Sequence, residues 1–216
     1  MEDNLRGTPC FKGERGYSAY EIAVQNGFQG DKETWLKQIG YEDINAKLPT
    51  DVRNFGAVGD GVTDDTDAFA DAVLYCQENN KILLVPKTTN SYKISRLVIE
   101  NTPNIKIDGV IEPSEYLEIK NDINSEERSN IDIYKIKGTL KLKGINTGKV
   151  KIVDCDTLEL ISNAREEFIG YSTFDLGDVI NLNILTSNDG WINENLFIGG
   201  RLTNVTFEGN LAPEDN

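Results

Sequence analysis

The chain of 216 residues contains no histidine. This excludes Ser-His-Asp and Cys-His nucleophile systems, histidine-containing zinc sites and a histidine pH switch. Acid–base chemistry is left to carboxylates, lysine and tyrosine. Two carboxylates cleave a glycosidic bond when they stand ~5–5.5 Å apart for retention, or ~6.5–9.5 Å apart for inversion. Asp154 with Asp156, Asp175 with Asp178, and Glu194 are the available members. On one strand, residues i and i+2 share a face at roughly 6–7 Å. Asp154 and Asp156 are therefore admissible if a strand carries them. The chain has 36 acidic residues, so such neighbours also arise as plain strand-face or turn aspartates. A lyase would want Lys, Arg or Tyr as base beside a neutralising group, and no residue is singled out for that.

A second constellation is cationic. Lys135, Lys137, Lys141, Lys143, Lys149 and Lys151 follow one another with no acid between 135 and 151. Each pair is spaced by two, so strand alternation puts both lysines on one face. Such a patch suits a polyanionic cell-wall polymer. It equally suits solubility and protection of a sheet edge. Tyr171, Phe174 and Trp191 offer aromatic surfaces as another place for a glycan.

The rest of the composition narrows the class. Net charge is −14, which disfavours nucleic acid and anionic membranes. No apolar run of ~20 residues exists to span a bilayer, and the acidic start does not read as a signal peptide. Cys10, Cys76 and Cys155 form neither a metal-ligand spacing nor a disulfide framework. The chain is expected to fold in a reducing cytosol, without cofactor or metal.

The elements that would position these groups fall into three zones. Residues 1–48 carry a Gly-patterned lead-in (Gly7, Gly13 and Gly16 on a three-residue period, with Cys10 in the remaining slot) and two short helices. The triplet spacing fits a plain linker or a remnant of a collagen-like trimer axis. Ser18 and Glu21 form a capping-box pattern, and the first helix should stop at Asn26-Gly27. A second helix near Asp31 carries Trp35 and Leu36 and should stop at Gly40. Neither helix is long enough to persist alone.

Residues 51–86 read as strand, acidic turn, helix and strand. Phe69, Ala72, Val73 and Cys76 mark one helical face. Asp64 is the expected N-cap. A calcium loop starting at Asp60 would need Gly at its sixth position and Glu at its twelfth. Asp65 and Asp71 stand there instead. Residues 87–216 read as short alternating strands: 92–100, 104–112, 116–120, 130–144, 149–161, 179–186 and 196–207. That spacing fits a sandwich, a barrel or a solenoid.

Residues 51–86, with their Asp-Gly turn, Thr63-Asp64-Asp65-Thr66 helix start and strand ending at Pro86, resemble the opening of pectate-lyase-superfamily parallel β-helices. Ser18-Ala19-Tyr20-Glu21-Ile22-Ala23, Asn26-Gly27-Phe28 and Trp35-Leu36 resemble the two-helix segment of bacteriophage tail fibres and tailspikes. Gly190-Trp191-Ile192-Asn193-Glu194-Asn195 with Gly199-Gly200-Arg201 is similar to a rung of phage β-helical tail proteins.

The resemblance implies a mainly β chain: a right-handed parallel β-helix behind a small α-helical segment, capped by 51–86 and assembled as a homotrimer. It implies a virion tail component, made in the bacterial host cytoplasm. Residues 1–48 would join it to other tail or baseplate proteins, and the β-helix would meet host cell-surface polysaccharide. The alternative is a polysaccharide depolymerase, hydrolase or lyase.

Overall fold

The computed structural model describes residues 17–39, 48–102, 104–121, 128–187 and 189–209. The triplet glycines, Cys10 and Gly40 lie outside them. The chain divides into two units, Met1–Asn45 and Ala46–Asn216.

In the first unit, α1 (Ala19–Gln25) and α2 (Lys32–Gln38) form a helical hairpin. Ser18 and Glu21 close the capping box: the Glu21 N–H donates to Ser18 Oγ at 3.3 Å, and the Ser18 N–H donates to Glu21 Oε2 at 2.6 Å. Gly27 adopts the left-handed φ of 96° that lets the chain turn out of α1. Asp31 caps α2 by accepting from the Thr34 N–H at 2.7 Å. The Tyr20 ring packs on Trp35 at 5.9 Å and on Phe28 at 6.3 Å. Neither helix buries a residue.

The second unit is a parallel β-solenoid of about five turns. It opens with the short strand β1 (Thr50–Asp51). Asp51 binds the Arg53 guanidinium and also accepts from the Arg53 N–H. That contact bends the chain into a 3-10 turn, Val52–Phe55. Helix α3 (Thr66–Asn79) follows and buries Phe69, Ala72, Val73 and Cys76. Phe69 meets Tyr92 edge-on at 5.4 Å.

The helix begins one residue later than expected, and Asp64 is not its N-cap. The cap position belongs to Asp65, whose carboxylate turns away from the helix and accepts from the N–H groups of Val58 (2.6 Å) and Gly59 (3.1 Å). Asp64 instead accepts from the Thr66 N–H and from Ser95 Oγ, tying the helix start to the strand Ser91–Glu100. The acidic cluster thus pins a loop and a helix end to the solenoid.

The coils are built from β2 (Leu83–Val85), β3 (Ser91–Glu100), β4 (Asn104–Lys120), β5 (Asn130–Lys143) and β6 (Lys149–Ser162). They continue through β7 (Ile169–Gly170), β8 (Thr173–Thr186), β9 (Ile192–Asn193), β10 (Leu196–Ile198) and β11 (Arg201–Glu208). All pairings among the described strands are parallel; register shifts at Ile94/Arg96, Ile107/Val110, Ile111/Leu117 and Ile136/Thr139 interrupt them, and on either side of these shifts like positions stack into columns. One column runs Leu83, Ile105, Ile131, Val150, Phe174, Phe197. Another runs Leu97, Leu117, Leu140, Leu158, Leu182, Val205. Their members up to β8 are buried. Each such side chain contributes roughly 1.5–3 kcal/mol relative to exposure. The alternation in the sequence is therefore the in-out pattern of one continuous core. Beyond β8 these two columns end in exposed Phe197 and Val205, and Leu202 and Phe207 on β11 are exposed as well.

Candidate functional site

One corner of the solenoid repeats in three successive coils. Thr147 (φ 53°), Tyr171 (φ 50°) and Glu194 (φ 52°) all occupy the left-handed region. The pairings Asn146 with Gly170 and Gly170 with Asn193 place them at equivalent positions. Left-handed backbone costs ~1–2 kcal/mol for a residue with a Cβ, so neighbouring bonds must hold it. Ser172 supplies them. Its hydroxyl reaches the carbonyls of Ile145 and Gly170 and accepts from the Gly148 N–H at 2.9 Å. Asn195 accepts from the Ser172 N–H at 3.1 Å and donates to the Ile169 carbonyl at 3.0 Å.

On one side of this corner lies a cleft of about 520 Å³ lined by Arg165, Phe168, Tyr171, Asp189 and Trp191. Trp191 is 65% exposed and Tyr171 60%, and both are held on the rigid corner. Phe168 packs at 6.0 Å from the Tyr171 ring. Gly170 makes this possible, because a Cβ there would stand 2.1 Å from the Phe168 ring. Gly190 lets the other wall pass close to the strand behind it: a Cβ would meet the Ser162 carbonyl at 1.8 Å. The loop carrying Arg165 and Phe168 is fixed through Glu167, which pairs with Lys143 at 3.4 Å and accepts from the Asn163 N–H. Glu194 lies beside Tyr171. As hydrogen-bond acceptor and as negative charge, it pushes the Tyr171 phenol above its ordinary value.

Across the corner runs a groove of about 590 Å³, lined in part by Asn130, Asp132, Lys149, Lys151, Thr173 and Asp175. The six sequence-marked lysines separate here. Lys135 pairs with Asp154, Lys137 with Glu112 (3.7 Å), Lys141 with Glu159 (3.7 Å) and Lys143 with Glu118 (3.5 Å). Lys141 also sits 4.1 Å above the Tyr116 ring. These four lysines are coil-to-coil braces, not a bare basic patch. The acids that neutralise them come from other coils, which is why the run looked uncompensated in sequence. Asp154 holds the Lys135 ammonium in its charged form and raises its pKa. Lys149 and Lys151 are exposed and make no ion pair among the described residues.

The acid candidates also regroup. Asp154 and Asp156 flank buried Cys155 on one outward face of β6. Asp175 and Asp178 both lie on β8, and register sets Asp154 beside Asp178 on the adjacent coil. Asp178 binds Arg201 at 3.2 Å and Asp154 binds Lys135, so both are engaged by cations. Phe174 is no surface aromatic: it is fully buried in a core column and stacks on Phe197 at 5.1 Å. Its place two residues before Leu176 on an inward face decides this.

The cleft therefore gathers Tyr171 and Trp191 from the sequence candidates, with Glu194 beside Tyr171, and adds Arg165, Phe168 and Asp189. The signal that could have found it is the repeat headed by Ile145, Ile169 and Ile192, each four residues before the first residue of β6, β8 and β10. No family model, curated protein or solved structure matches the chain.

Proposed function

We propose that this chain is a virion tail fibre or tailspike component that binds host cell-surface polysaccharide. The observation that carries the reading is the pair of exposed rings, Trp191 and Tyr171, mounted on one corner beside Glu194, Asp189 and Arg165. Aromatic rings present an apolar face to a sugar's C–H face, and the carboxylates and guanidinium serve its hydroxyls. The resemblance of residues 13–39 and 190–201 to phage tail proteins supports the location. Residues 1–48 would assemble a homotrimer and attach to other tail or baseplate proteins. Ile22, Val24 and Ile39, all more than 40% exposed, supply apolar surface for that assembly.

The test is adsorption of the intact protein to cells of the bacterial host. Trp191→Ala and Tyr171→Ala should each lower it at least tenfold with unchanged circular dichroism. Undiminished adsorption by the double variant sinks the reading.

The second reading is depolymerase activity. It draws on Asp154 and Asp178, whose strands are ~4.8 Å apart, near the separation of a retaining pair. Their engagement by Lys135 and Arg201 weighs against it, since one member must donate a proton. Release of reducing ends from host polysaccharide, abolished in Asp154→Asn, would favour this reading over simple binding.

A further inference from the structure

The groove beside the aromatic corner differs from the rest of the charged surface. Lys106, Asp132, Lys151 and Asp175 follow one another in register on four successive coils. Their signs alternate, yet no ion pair closes between any two of them among the described residues. Lys106 turns to Asp108 on its own strand at 3.2 Å, and Lys151 makes no ion pair among the described residues. Elsewhere, cross-coil neighbours do close, as in Lys135–Asp154 and Lys141–Glu159. The next outward column is Asn104, Asn130, Lys149 and Thr173. It sets neutral hydrogen-bonding groups beside the charged column, with Lys149, a second lysine that makes no ion pair among the described residues, among them.

Strands stack at ~4.8 Å, so like charges in this column recur about every 9–10 Å. An anion seated at Lys151 meets Lys149 two residues away on the same face. It is flanked along the axis by Asp132 and Asp175, which repel a second anion and accept hydrogen bonds from hydroxyls. A continuous polyanion, such as nucleic acid or heparin, fits poorly. A chain whose acidic groups are separated by hydroxyl-bearing sugars fits well.

We infer that this groove is a second subsite for an acidic polysaccharide bearing one anionic group per disaccharide, lying along the solenoid axis with that group at Lys149 and Lys151. The inference rests on the glycan-binding reading above and extends it from the aromatic cleft to the adjoining coil face.

The test is biolayer interferometry of the intact chain against four immobilised polymers: hyaluronan, a sugar-phosphate polymer, heparin and neutral dextran. Binding to hyaluronan or to the sugar-phosphate polymer should exceed binding to heparin despite heparin's higher charge. Which of the two binds tells carboxylate from phosphate. Lys149→Gln/Lys151→Gln should weaken that binding at least tenfold, and raised salt should weaken it likewise through screening. Lys135→Gln/Lys137→Gln, which removes braced lysines, should not change it. Binding that simply tracks polymer charge, or that survives the Lys149/Lys151 double substitution, overturns the inference. If Trp191→Ala abolishes binding while the Lys149/Lys151 variant binds normally, the aromatic reading stands and this one fails. The reverse pattern upholds the groove and removes the aromatic cleft.

Discussion

Tyr171 and Glu194 stand on neighbouring coils in the same left-handed backbone conformation, with the carboxylate against the phenol. Two residues that each carry backbone strain are thereby joined at the rim of the cleft. Strain of this kind persists where surrounding bonds over-determine it, and Ser172 and Asn195 provide those bonds. The contact also makes a measurable mark. The phenol's ordinary value is 10.0 and Glu194 raises it. The contact therefore favours the native state below that pH and is lost as pH rises through the elevated value. In a spectrophotometric titration, Glu194→Gln should move the Tyr171 transition back down. An unmoved transition would separate the two side chains.

Asp65 and Asp64 should respond differently to truncation. Asp65 is 2% exposed and satisfies two backbone N–H groups. Removing it leaves those donors unpaired, and Asp65→Ala should cost about 1–3 kcal/mol. Asp64→Ala should cost less, since its carboxylate is exposed and water can replace it. Urea denaturation of the two variants checks the order. Equal losses would place the burden on the helix start instead of the loop.

Stability should fall on the acid side. Asp51 is held below its usual range by the Arg53 guanidinium, Asp60 by the Thr63 and Val62 N–H groups, and Asp64 by Thr66. Lys93, with Ser91 and Lys137 behind it, does the same for Glu112. Each depressed carboxyl stabilises the native state above its unfolded value of 3.8 or 4.5. That contribution drains away as pH drops through the folded values. Melting temperature should be level from pH 7 to about 5 and then decline. Because these groups are mostly exposed, the decline should be gradual and reduced by salt. A melting temperature flat to pH 2 would contradict the pairing.

Cys155 should be chemically silent in the folded protein. Burial pushes its thiol up to about 12, and burial also raises Cys76. Thiolate is the reactive form, so iodoacetamide at pH 8 should leave both unmodified in native protein and alkylate both in urea. Peptide mass mapping distinguishes the sites. Fast native labelling of Cys155 would mean the core column around it opens readily.

Much of the solenoid was legible because its core is written as alternation. Ile131, Ile133 and Ile136 on β5 predict an inward face, and Val150, Ile152 and Cys155 repeat it on β6. The cap region was legible from its helical face at Phe69, Ala72, Val73 and Cys76. What could not be read was anything set by the partner coil. Lys135 finds Asp154 nineteen residues away, across a loop, and no local pattern announces that. Asp65 was hidden for a similar reason: its partners precede it at Val58 and Gly59, outside the helix whose cap position it occupies. β8 begins at Thr173, ahead of the expected 179, because Phe174 and Leu176 continue columns that only register reveals. The aromatic cleft was half visible, since Tyr171 and Trp191 stand out by type, while Arg165 and Phe168 sit on a loop with no periodicity.

The Ser172 hydroxyl touches groups from two coils, and its backbone N–H binds a side chain from a third. A corner riveted in this way has little freedom left to lose. A ligand meeting Tyr171 beside it encounters a surface already in its bound shape, so association carries only a small ordering cost on the protein side. On the proposed glycan-binding reading, discrimination among sugars should be a matter of residence time. Good and poor ligands should arrive at similar rates, and the difference between them should lie in how long each stays.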